Sequence, residues 1–154
     1  MSDTAFQSLA LAMRHGYLSK LRVLSLQNTQ LNERKFSHLC NVWKDQKHPQ
    51  LKRLIVSGNQ LREKDLRPFT ECIEENCLQT LEELDLSRNR LKNNGIELFL
   101  LASRKCKWTH LTTLWLDWNA ITPKGLTRLY EELLTDSWPN LKELHVDGIH
   151  SDEQ

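Results

Sequence analysis

The sequence predicts an α/β solenoid, a horseshoe fragment with short parallel strands on its concave side and helices on its convex side. Three observations predict it. The segment LRVLSLQNTQL at Leu21 returns as LKRLIVSGNQL at Leu51, LEELDLSRNRL at Leu81 and LTTLWLDWNAI at Leu111, with a fifth start, LKELHVDGI, at Leu141. The spacing is thirty residues each time without an insertion, and self-similarity at such a period marks a stack of like units. Within a unit the apolar period is two at the start and three to four afterwards, so each unit is a strand followed by a helix.

The elements follow in chain order. Phe6, Leu9, Ala10, Met13 and Leu18 precede Phe36, Leu39, Cys40, Trp43 and His48 by thirty residues. Residues 1–20 therefore form the helical half of a unit, a helix that caps the amino end of the core. Residues 21–140 hold four full units. In the strands Leu24 and Leu26, Leu54 and Val56, Leu84 and Leu86, Leu114 and Leu116, and Leu144 and Val146 point inward, because alternate side chains lie on opposite faces. In the helices Phe36, Leu39 and Cys40, then Leu66, Phe69 and Ile73, then Ile96, Phe99 and Leu100, then Leu126, Leu129 and Leu133 form the buried stripe. Gly95 and Gly125 stand just before that stripe where earlier units have Lys35 and Asp65, and the triplets HPQ, LQT, WTH and WPN return the chain to the next strand. Residues 141–154 supply a fifth strand and a polar tail with no helix. Solenoids need polar caps on their last layer, so the carboxyl end is expected to be a cut from a longer chain or an edge covered by a partner. Helices about 10 Å wide stack beside strands about 4.8 Å apart, so the array must bend with the sheet inside.

The recurring LxxLxLxxNxL resembles the ribonuclease-inhibitor-like class of leucine-rich repeat proteins across about residues 5 to 149. That class includes nuclease inhibitors, ligand-sensing regions of innate-immune receptors, an actin-capping family and the activator of the Ran GTPase. The resemblance implies a curved scaffold for protein contacts, with a regulator of a GTPase or other enzyme, or a purely structural scaffold, as alternatives. Fold alone does not choose among them.

Charge and composition remove other classes. Lys and Arg number 21 against 20 Asp and Glu, so the chain lacks the basic excess of a nucleic-acid binder, and anionic membrane is an equally poor partner. The amino end carries Asp3, no cationic cluster and a broken apolar run, unlike a secretory signal. No apolar stretch is long enough to span a bilayer. Cys40, Cys72, Cys77 and Cys106 sit among apolar residues as reduced, buried thiols, which favours the cytoplasm, with the nucleus as alternative. Their spacing lacks the paired CxxC or Cys/His pattern of a zinc site. No phosphate loop, nucleophile motif or HExxH is present, so neither catalysis nor a cofactor or metal is expected.

Scaffold and binding residues separate by position. Asn59, Asn89 and Asn119 fill the ninth place of their units, where a buried amide satisfies turning backbone, while Thr29 and Ile149 depart from the pattern at the ends. Trp108 and Trp138, in step with Leu18, His48 and Leu78, belong to the core, as does Trp43, in step with Met13, Ile73 and Leu133. Arg104, Lys105 and Lys107 end a helix and complement its dipole. Trp115, between inward Leu114 and Leu116, projects from the concave face, and Trp118 lies in the turn leaving the same strand, placing two exposed aromatics side by side.

The outward rows are Val23, Arg53, Glu83, Thr113 and Glu143; Ser25, Ile55, Asp85, Trp115 and His145; and Gln27, Ser57, Ser87, Asp117 and Asp147. Cations (Arg22, Lys52, Arg53) gather early, and acids (Glu83, Asp85, Asp117, Glu143, Asp147) gather late around the tryptophans. Tryptophan in a polar ring is the usual make-up of an interface anchor. The expected partner-binding set is Trp115, Trp118, Asp85, Arg88, Asp117, His145, Asp147, Ile55 and Arg53, facing a basic protein with an apolar anchor. Leu98, Leu101 and Leu134 fall outside the buried stripe and form a second, convex contact patch.

Overall fold

Alternation between period two and period three to four produces the expected order of elements. The computed structural model describes residues 1–45, 50–106 and 108–151; His48 and Pro49 of the first closing triplet, and Lys107 of the cationic run, lie outside them. Five helices alternate with five strands: α1 (Asp3–Arg14), β1 (Val23–Ser25), α2 (Glu33–Lys44), β2 (Arg53–Ile55), α3 (Arg67–Glu74), β3 (Glu83–Asp85), α4 (Lys92–Lys105), β4 (Thr113–Trp115), α5 (Pro123–Glu132) and β5 (Glu143–His145). A 3-10 turn, Glu63–Leu66, leads into α3, whose first turn contains Pro68, a residue with no N–H to give an α-helical ladder.

The strands form one parallel sheet in sequence order, with Leu24, Leu54, Leu84, Leu114 and Leu144 in register. Bonds recur between units: Leu26, Val56, Leu86 and Leu116 N–H donate to the carbonyls of Ile55, Asp85, Trp115 and His145 at 2.8–3.0 Å. Each helix packs on its neighbours along the stack, which makes the fold an α/β leucine-rich-repeat solenoid with a sheet layer and a helix layer. The core runs between them through Phe36, Phe69 and Phe99, with the Phe36 and Phe69 rings stacked at 5.0 Å.

The amide ladder is structural, as expected. Asn59 Oδ1 accepts the N–H groups of Thr29 and Leu31, both at 3.0 Å, while its Nδ2 donates to the carbonyls of Leu26 and Val56. Asn89 does the same for Asn59 and Leu61. Each asparagine thus closes its own turn and pins the previous one, which satisfies buried backbone groups that no strand or helix serves. Where the pattern departs, the Thr29 hydroxyl donates to the Leu26 carbonyl at 2.8 Å and lies 3.4 Å from Asn59 Oδ1. Trp43, Trp108 and Trp138 are buried, and Trp108 Nε1 donates to Ser103 Oγ.

Two expectations about the last helix fail. Leu133 is exposed and Leu126 only half-buried, because no further helix among the described residues packs on the outer flank of α5. The buried residue nearby is instead Glu132, at the place filled by Val42, Cys72 and Ala102 in earlier units. Its carboxylate accepts from Arg104 Nε at 3.0 Å, Arg128 Nη1 at 3.0 Å and Ser137 Oγ at 2.9 Å. Burial works against its charge, and these hydrogen bonds overcome that penalty and hold its pKa below the ordinary value.

Candidate functional site

Strand alternation presents the outward rows of β3, β4 and β5 to the concave side, where the expected anchor lies. In the central row Asp85 pairs in register with Trp115, and Trp115 with His145. The Trp115 and His145 rings stack at 5.4 Å, with 9° between planes. Trp115 is consequently half-buried, covered by the neighbouring strand. His145 Nε2 also sits 3.3 Å from a Glu143 carboxylate oxygen.

Trp118 follows in the turn and is 53% exposed. Its backbone is left-handed (φ 57°), like that of Asn28, Gly58, Arg88 and Gly148 at the same place in the other units. The indole lies against Gly148: a Cβ there would come 2.5 Å from Trp118 Cε3. Only glycine combines this φ of 77° with so close an approach. Among the described residues the two indoles make no ring contact with each other, so the side-by-side pair becomes two aromatics, each resting on the fifth unit.

The acidic ring is also more committed than its row pattern implies. Asp85 Oδ1 accepts the Ser87 N–H at 2.9 Å, and Asp117 Oδ1 accepts the Asp147 N–H at 2.7 Å. Both carboxylates therefore cap turns. Arg53 binds Glu83 at 2.8 Å and Lys52 lies 3.8 Å from Glu82, so the early cations neutralise middle acids across the strand pair. Asp147 and Glu143 remain exposed acids beside the aromatics. Ile55 is half-buried, and Arg88 is exposed in its turn. Thr113, Ser57 and Ser87 are buried although their rows face outward, because neighbouring strands pack over short side chains.

On the convex side Leu98 is half-buried, whereas Leu101 and Leu134 are 44% and 88% exposed and Tyr130 joins them. Among the cysteines Cys40, Cys72 and Cys106 are buried, but Cys77 is half-buried, since it follows the end of α3. Burial first, then neighbouring Cys72, pushes the Cys77 thiol up to about 12, and burial raises Cys106 to about 11. Among the described residues no group of three His, Cys, Asp or Glu is placed to hold a metal, and no helix is long and apolar enough to cross a membrane.

Sequence reasoning missed Glu132. The available signal was Arg104 and Arg128 at helical positions flanking an acid that falls on the buried stripe.

Strands in thirty-residue register, an asparagine ladder and an outer helical layer together define a leucine-rich-repeat fold. The comparisons agree: a family model described as "Leucine Rich repeat" matches residues 77–100 and 109–129. Among solved structures the chain is similar to "Leiomodin-1 Actin-Binding Site 2 (ABS2)", with a TM-score of 0.75 and 12% identity over 93% of this chain and 79% of that one. That likeness concerns the fold. No curated protein matches the sequence significantly.

Proposed function

We propose that the chain is a non-catalytic protein-recognition module that holds a basic partner segment on the concave face of β3–β5. The observation that carries this reading is the exposed Trp118 indole in the turn that follows the Trp115–His145 stack, with the exposed acids Glu143 and Asp147 on the neighbouring fifth unit. An indole buries a large area on contact at small entropic cost, and acids around it favour Lys or Arg on the partner. The similar leiomodin structure is named as an actin-binding site, which supports use of this fold for protein contacts without naming a partner here. Thirty-residue units with an outer helix support the ribonuclease-inhibitor-like subclass. Unpaired cysteines support a cytoplasmic or nuclear address.

The test is a quantitative pull-down from cytosolic extract with the immobilised chain, run beside Trp115→Ala/Trp118→Ala. The reading requires at least one protein retained by the parent and lost from the double variant, with both melting alike. Identical protein sets on the two columns would overturn it.

A further inference from the structure

A second surface carries charge of the opposite sign. The loops that leave the strands form a rim, built in the first three units by residues 27–35, 57–65 and 87–95. Its exposed cations are Arg34, Arg62, Lys64, Arg88, Arg90 and Lys92. The acids there are fewer: Glu33, Glu63 and Asp65, and none in the third loop. Asp65 is buried and its carboxylate is taken up by two backbone N–H groups, those of Glu33 at 3.2 Å and Arg62 at 2.9 Å. Arg34 reaches Asp3 at 3.7 Å and Arg62 reaches Asp65 only at 4.0 Å. Lys64, Arg88, Arg90 and Lys92 have no carboxylate partner among the described residues.

Three of these cations, Arg62, Lys64 and Arg90, line a shape as well as supplying charge. An open depression of about 710 Å³ lies between the first three loops, lined by the amides of Asn28, Gln30 and Gln60 and by Arg62, Lys64 and Arg90. The backbone is left-handed at Asn28, Gln30 and Gln60, a conformation that costs energy outside glycine. Primary amides both donate and accept, which matches peptide groups, while guanidinium forks match carboxylates in two-point contacts.

We infer that this rim binds an acidic segment of a partner protein, its Asp or Glu side chains held by Arg62, Lys64 and Arg90 and its backbone by the neighbouring amides. A nucleic acid fits less well. The chain as a whole carries 21 Lys and Arg against 20 Asp and Glu, which leaves no basic excess for a continuous phosphate backbone. Of the residues expected at the aromatic site only Arg88 also stands on this rim, and the depression is lined without it.

The probe is a fluorescein-labelled ten-residue peptide of alternating Glu and Ser, with the Gln-for-Glu peptide as control, read by anisotropy on the full chain at low salt. The parent is expected to bind the Glu peptide at least tenfold more tightly than the Gln peptide. Arg62→Gln/Arg90→Gln is expected to lose at least tenfold, and Arg90→Gln alone a smaller part of that loss. Lys20→Gln/Lys142→Gln removes the same charge outside the rim and is expected to stay within twofold of the parent. Melting curves show whether each variant is folded, and Arg90→Gln, whose side chain makes no ion pair among the described residues, remains informative if the double variant is not. Equal loss in the Lys20/Lys142 variant, no preference of the parent for the Glu peptide, or full binding by folded Arg90→Gln and Arg62→Gln/Arg90→Gln would each overturn the inference. So would an oligodeoxythymidine that binds the rim more tightly than the Glu peptide.

Discussion

At the amino end Leu24 is 8% exposed on an edge strand, whereas Leu144, the same residue of the repeat on the opposite edge strand, is only half-buried. The difference lies in the neighbours. Helix α1 lays Phe6, Ala10 and Met13 over the first layer and turns toward solvent a face carrying Thr4, Gln7 and Ser8. At the far end Tyr130 of α5 and Leu133 and Leu134 just after it are exposed, and Val146 is half-buried beside Leu144. One repeat sequence thus produces a dry core or a half-wet surface according to what stacks on it, as nearest-neighbour stabilisation of solenoids requires.

The largest effect separates a central position from a terminal one. Leu84→Ala, at a side chain with no exposure, is expected to destabilise by about 2–5 kcal/mol through lost transfer energy and a cavity. Leu144→Ala is expected to lose no more than about 1.5 kcal/mol, since its side chain is already partly in water. Thermal melts of both variants check the pair, and equal losses would remove the distinction between interior and end layers.

Next come the polar positions of the same layers. Asn89→Ala leaves the Asn59 and Leu61 N–H groups without their acceptor, and is expected to cost about 2–3 kcal/mol in urea unfolding. Thr29→Ala removes one hydroxyl bond to the Leu26 carbonyl, and about 0.5–1.5 kcal/mol is expected.

Glu132 sharpens the comparison through pH. Its folded pKa is depressed, so its contribution is present above the unfolded carboxylate value and is lost as pH falls through the folded one. Glu132→Gln is expected to cost about 1.5–3 kcal/mol at neutral pH. The melting temperature of that variant should fall less steeply on acidification than the parent's, and parallel curves would mean the network does not hold the charge.

The smallest effect is kinetic. At pH 8 all four cysteines should react slowly with a thiol reagent in the native protein, with Cys77 first because it is the one that is half-buried. All four should react quickly after denaturation. Faster native labelling of Cys40 than of Cys77 would show that the core of α2 is open.

The sequence made legible whatever a single unit specifies by itself. The strand register, the inward LxL pairs, the asparagine ladder and buried Trp43, Trp108 and Trp138 all follow from periodicity, because the same side chain repeats its task every thirty residues. What depended on a neighbour was not legible. Leu133 fits the helical stripe but meets no further helix among the described residues. Glu132 breaks the stripe's composition, and its buried carboxylate is held by Arg104 from the preceding helix together with Arg128 and Ser137. In the candidate site, alternation placed Trp115 and Trp118 on the correct elements, yet which ring each touches depended on His145 and Gly148. The turn-capping by Asp85 and Asp117 depended on backbone N–H directions that a row of charges does not reveal.

The concave anchor itself is tested most directly by the binding kinetics of the recovered partner to the parent, Trp118→Ala and Asp147→Asn at low and moderate salt. Asp147 is the suitable acid, since Asp117 also holds a turn. Trp118→Ala is expected to weaken affinity by about 2 kcal/mol or more, roughly thirtyfold, mainly through faster dissociation. Asp147→Asn is expected to slow association and flatten its salt dependence. A Trp118→Ala variant that melts like the parent and binds as tightly would contradict the account.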